Sequence, residues 1–98
     1  MFWMKMYNFQ TDKEFNRWLK KHNAKKHSSI MTFTFPDDEH YITVYSIIPV
    51  EFDDYTTQFL KVEWYYNDRE KPTVDYAEIS DTVIDLLKQL QLKYLKGV

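Results

Sequence analysis

Glu51-Phe-Asp-Asp-Tyr-Thr-Thr-Gln-Phe-Leu-Lys-Val-Glu-Trp-Tyr-Tyr66 runs a carboxylate-rich loop directly into an aromatic strand. From Thr57 onward the residues alternate. Leu60, Val62, Trp64 and Tyr66 take one side, and Phe59, Lys61, Glu63 and Tyr65 the other. Successive side chains of a strand point to opposite faces, so this pattern predicts one face toward a core and a mixed face toward solvent or a partner. Val50 to Thr56 reads as the acidic loop that precedes it.

The flanking segments repeat the pattern. Ser29 to Phe35 alternates strictly, with Met31, Phe33 and Phe35 opposed to Ile30, Thr32 and Thr34, and His40 to Ile48 alternates again. Pro36-Asp-Asp-Glu39 supplies turn residues between them, which predicts a hairpin, and Pro49 is expected to end its second strand. Asn67 to Pro72 is a polar turn. Thr73 to Ile79 is read as a fifth strand in preference to a helix, although Asp75 and Glu78 have capping spacing. Phe2 to Phe9 is apolar on both alternating faces, as expected for a first strand covered on both sides or an arm docked on another chain.

Two helices complete the chain. Thr11-Asp-Lys-Glu14 has the spacing of a capping box, and Phe15, Trp18, Leu19 and His22 follow as one apolar stripe that should end near Asn23. Ser80 is the expected N-cap of a second helix carrying Val83, Leu87, Leu90 and Tyr94, with Ile84, Leu86, Leu92 and Leu95 widening the stripe. Lys93 and Lys96 fall in its last turn, with Gly97 just past its end. The 98 residues fit one domain. The expected fold is α+β and two-layered: an antiparallel sheet of three to five strands with both helices on its more apolar face, in the order β-α-β-β-β-(β)-α. With aromatics at 18%, its core should be built largely from rings.

Composition excludes several chemistries. Cysteine is absent, so thiolate catalysis and disulfides are impossible. Gly97 is the one glycine, too few for a phosphate-cradling loop, which needs positive φ and close backbone approach. Ser28, Ser29, Ser46 and Ser80 lie in no nucleophile-elbow context. The acids of Asp37-Asp-Glu-His40 and Asp53-Asp54 are neighbours, and neighbours on a strand point apart instead of converging on a metal. No catalytic residue, metal site or cofactor is therefore expected, and the chain is read as a non-enzyme. Without a signal-like core or a run of about 20 apolar residues, the expected location is the cytoplasm.

The net charge of −2 hides a division. Residues 1–36 carry +5, residues 37–85 carry −10 and residues 86–98 carry +3. A field this asymmetric points to a charged partner. Asp37, Asp38, Glu39, Glu51, Asp53, Asp54, Tyr55, Glu63, Tyr65, Asp68 and Glu70 are the predicted partner-binding residues: carboxylates to receive Arg and Lys, tyrosines to add contact area and stack on guanidinium groups.

That combination resembles, in chemistry and size, the working surface of small proteins that block nucleic-acid enzymes, such as anti-CRISPR and anti-restriction inhibitors or nuclease-immunity proteins. The likeness implies an inhibitor from a phage, mobile element or bacterial conflict system that occupies a basic nucleic-acid-binding site. One alternative is a homo-oligomeric module joined through the apolar N-terminus and the last helix. Another is a nucleic-acid binder using the basic run Lys20 to Lys26. The element order and that run look like double-stranded-RNA-binding domains. In that family, however, the lysines open the second helix, where this chain has Asp75, Glu78, Asp81 and Asp85 and would repel phosphate. Direct nucleic-acid binding is accordingly the less expected outcome.

Overall fold

Strands β4 (Ile42–Glu51) and β5 (Thr56–Tyr65) pair along their whole length, from Ile42 opposite Tyr65 to Glu51 opposite Thr56. In the computed structural model, which describes residues 4–7, 9–36 and 42–97, they form the centre of an antiparallel sheet. β6 (Thr73–Ile79) adds to β5, and β1 (Met4–Tyr7) adds to β6. On the far side of β4 lie β2 (Lys25–Lys26) and β3 (Met31–Pro36), while helices α1 (Asp12–Lys21) and α2 (Asp81–Gly97) follow β1 and β6. The fold is α+β, in roughly the expected order, with six strands among the described residues in place of three to five.

The extra strand hides in the basic segment. Lys26 pairs with Val50 and Met31 with Ile47, so four residues, 27–30, face two on β4. An excess of two preserves the alternation of faces, and β2 and β3 act as one edge strand interrupted by a bulge. The bulge also explains why Pro49 does not end β4, which continues to Glu51. The Pro49 carbonyl accepts from the His27 amide at 2.9 Å, so its ring nitrogen points to the same, bulged side and no bond to β5 is lost.

Register assigns every side chain to a face, and the two helices take opposite faces. Phe15 and Leu19 of α1 bury against Val50, Phe59 and Tyr76. Val83, Ile84 and Leu87 of α2 bury against Phe33, Ile47, Leu60, Val62, Ala77 and Ile79. The arrangement is three-layered, helix on sheet on helix, which corrects the expectation of two layers with both helices on one face. Phe59 explains the error. It stands on the strand face that carries Lys61 and Glu63, so the face reads as solvated, yet Phe59 is 0% exposed beneath α1.

The two cores differ in kind. The α1 side is aromatic, as composition predicts: Phe15 stacks on Tyr76 with centroids 4.3 Å apart and tilts against Phe59 at 5.3 Å, while Tyr7, Phe9 and Trp18 ring the cluster. The α2 side is mostly aliphatic. Leu90 and Leu92 lie outside it, exposed, so among the described side chains the apolar stripe of α2 is buried at Val83, Ile84 and Leu87. The expectations for Phe2, Trp3 and the Asp37–Glu39 turn, and for the side chains of Tyr94, Leu95 and Lys96, lie outside the described residues.

Local signals at α1 hold closely. Thr11 Oγ1 accepts from the Glu14 amide at 3.2 Å, and the Glu14 carboxylate accepts from the Gln10 amide at 2.8 Å, one residue before the usual capping-box partner. At the other end Asn23 is left-handed, with φ 53°. The Ala24 amide reaches the Leu19 carbonyl and the Asn23 amide the Lys20 carbonyl, a Schellman motif that turns the chain into β2. At α2, Ser80 caps with its carbonyl, which accepts from Val83 and Ile84. Its hydroxyl has no hydrogen-bond partner among the described residues.

Candidate partner-binding surface

The turn joining β4 to β5 consists of Phe52, Asp53, Asp54 and Tyr55, and the Phe52 amide closes it by donating to the Tyr55 carbonyl at 2.8 Å. Phe52 stacks on Tyr55, with centroids 4.9 Å apart and planes at 13°, and meets Trp18 of α1 edge-on at 6.0 Å. This ladder of rings anchors the tip to the α1 core. Asp53 and Asp54 are exposed and pair with no cation among the described residues, and Tyr55 is 52% exposed between them and the sheet. Partial burial, with Glu78 and Asp54 nearby, raises the Tyr55 phenol above its ordinary range. It therefore stays a neutral hydroxyl amid carboxylates. Glu51, at the base of the tip, is held by His27 Nε2 at 3.1 Å.

Glu63 and Tyr65 lie elsewhere and behave differently. Both are half-buried on the α1 face of β5, and the Tyr65 hydroxyl donates to Glu63 at 3.1 Å. Lys61 Nζ sits 3.9 Å from Glu63 and 2.9 Å from Asp12, and Asp12 also accepts from the Tyr76 hydroxyl. This network ties β5 and β6 to the first turn of α1. Burial works to raise the Asp12 carboxyl, but the hydrogen bonds from Lys61 and Tyr76 outweigh it and leave Asp12 below its usual range. Burial and the Asp12 carboxylate push the Tyr76 phenol far up. Glu63 and Tyr65 are therefore half-buried and engaged with their neighbours, a correction to the expectation that their strand face stands exposed.

Asp68 and Glu70 are exposed in the β5–β6 turn, where Arg69 lies 4.5 Å over the Tyr66 ring. That turn follows the far end of β5 from Tyr55. Ten strand residues at about 3.3 Å each put roughly 33 Å between the two. The predicted residues thus divide into a tip of Glu51, Asp53, Asp54 and Tyr55, an internal pair, and a distant turn, with Asp37, Asp38 and Glu39 outside the described residues.

The sequence reading missed Phe52, whose stack with Tyr55 organises the tip, and Tyr7 and Glu78, which lie nearby. Glu78 is buried and accepts from the Tyr7 hydroxyl at 3.1 Å. Burial and Glu78 raise the Tyr7 phenol to about 12. Only the Phe-x-x-Tyr spacing across a two-residue turn signals the ring pair in advance. No cluster of three or more metal-type ligands occurs among the described residues, and none of their helices is long and apolar enough to cross a membrane. Comparison with protein-family models, curated proteins and solved structures finds no match.

Proposed function

We propose that the protein is a non-enzymatic binding module whose β4–β5 tip docks on a basic surface of a protein partner. The observation that carries this reading is the tip itself: two exposed aspartates without a counter-cation among the described residues, beside a tyrosine fixed by stacking on Phe52. Unpaired exposed carboxylates lose little on meeting Arg or Lys, and a ring already held in place adds contact area at low entropic cost. Nucleic-acid-handling enzymes carry basic surfaces of the kind such a tip fits, and an inhibitor that occupies one, as anti-CRISPR, anti-restriction or nuclease-immunity proteins do, is the finer form of the proposal.

Affinity capture tests it. The immobilised protein should retain a basic, nucleic-acid-handling protein that the Asp53→Lys/Asp54→Lys variant fails to retain. Equal capture by both would contradict the reading. The exposure of Met6, Leu90 and Leu92 supports a second reading, association with another copy of the chain. A monomer by light scattering at high concentration would remove it.

A further inference from the structure

Helix α1 commits its acids and leaves its cations free. Asp12 is engaged by Lys61 and Tyr76, and Glu14 by the Gln10 amide. Lys13, Arg17, Lys20 and Lys21 are all exposed and form no ion pair or side-chain hydrogen bond among the described residues. At about 100° per residue, Lys13, Arg17 and Lys20 fall in one stripe opposite Phe15 and Leu19, spanning about 10 Å along the axis. Lys26 lies on the same side of the sheet, its Nζ 5.9 Å from the Phe15 ring centroid. Lys25 points to the other face, where it pairs across from Glu51, so only part of the basic run contributes.

The helix dipole accounts for part of this charge. Lys20 and Lys21 sit in the last turn, where cations complement the negative end. Lys13 does not fit that account. It is the second residue of the helix, beside the positive end, where a cation is unfavourable.

We propose that the Lys13–Arg17–Lys20 stripe, flanked by Lys21, is a docking surface for the phosphate backbone of a nucleic-acid duplex. The inference does not rest on the tip: it uses the outer stripe of α1, whereas the tip meets α1 through Phe52 and Trp18. An anionic lipid surface fits less well. Interfacial helices insert a free apolar face, and that of α1 is occupied, with Phe15 and Leu19 buried against the sheet. An unpaired strand fits less well too, because the stripe has no aromatic ring on which bases could stack. Cations in a row suit a polyanion carrying one charge per about 1.7 Å of axis, read without regard to sequence.

Fluorescence anisotropy with a labelled mixed-sequence DNA duplex tests the proposal. With three phosphate contacts, affinity should fall about 40-fold between about 50 and 200 mM salt. Lys13→Gln alone should reduce the steepness of the salt dependence by about 0.9 in log–log slope. The Lys13→Ala/Arg17→Ala/Lys20→Ala variant, checked for native circular dichroism, should lose binding, while Lys88→Ala/Lys93→Ala on α2 and Asp53→Lys/Asp54→Lys at the tip retain it. No complex at low salt, undiminished binding by the triple variant, or binding to phosphatidylserine vesicles but not to the duplex would each overturn the proposal.

Discussion

Lys61 reaches from the centre of β5 to Asp12 in the first turn of α1, with Nζ 2.9 Å from Oδ1 and 3.1 Å from Oδ2. The Tyr76 hydroxyl, from the neighbouring strand, donates to the same carboxylate. One exposed acid thereby fixes where α1 begins on the sheet, and with it the position of the aromatic core below.

The pairing makes stability depend on acid. The folded-state Asp12 carboxyl titrates below its ordinary value of 3.8, so its contribution is complete above that pH and is lost as pH falls through the lower, folded value. Asp12→Asn should be less stable than the parent at neutral pH. The difference should shrink below pH 4, as read from urea midpoints across the acid range.

Tyr7 makes the opposite prediction at high pH. Its phenol is raised from 10.0 to about 12, so the stability it contributes is complete below pH 10 and disappears as pH rises through about 12. Alkaline titration followed by tyrosinate absorbance should show several late-ionising tyrosines, with one fewer, the one near pH 12, in Tyr7→Phe.

Helices on opposite faces should be energetically independent. Leu19→Ala in α1 should cost about 2–5 kcal/mol and Ile84→Val in α2 about 0.5–1.5 kcal/mol. The double variant should match the sum within about 0.5 kcal/mol, because the two residues share no cluster. Helices sharing one face would instead show coupling in chemical denaturation.

Asn23 carries the left-handed turn that delivers the chain to β2. Asn23→Ala should destabilise by about 1 kcal/mol, since a Cβ without a local hydrogen-bonding group is disfavoured there, whereas Asn23→Gly should be neutral or stabilising. Thermal unfolding of the two variants checks the order.

The strands and the caps of α1 were legible because each rests on local chemistry: the alternation of Met31 to Phe35, the Thr11–Glu14 spacing, the tolerance of Asn23 for positive φ. The placement of the helices was not. It depends on which residues of a mixed face are covered, and Phe59 and Tyr76 share their face with Lys61 and Glu63. Lys25–Lys26 carries no alternation, and only the backbone of β4 makes it a strand. The acidic site was legible as composition but not as geometry. Glu63 resembles Asp53 in sequence, yet its side chain is 17% exposed and engaged by Tyr65 and Lys61.

The central claim, that the β4–β5 tip and not the acidic composition at large receives a basic partner, is tested most directly by backbone NMR during titration with an arginine-rich peptide. Perturbations should concentrate on Glu51 to Thr56 and vanish in Asp53→Lys/Asp54→Lys, with Asp68 and Glu70 unaffected. Equal perturbation at the two ends of β5, or a maximum at the β5–β6 turn, would contradict it.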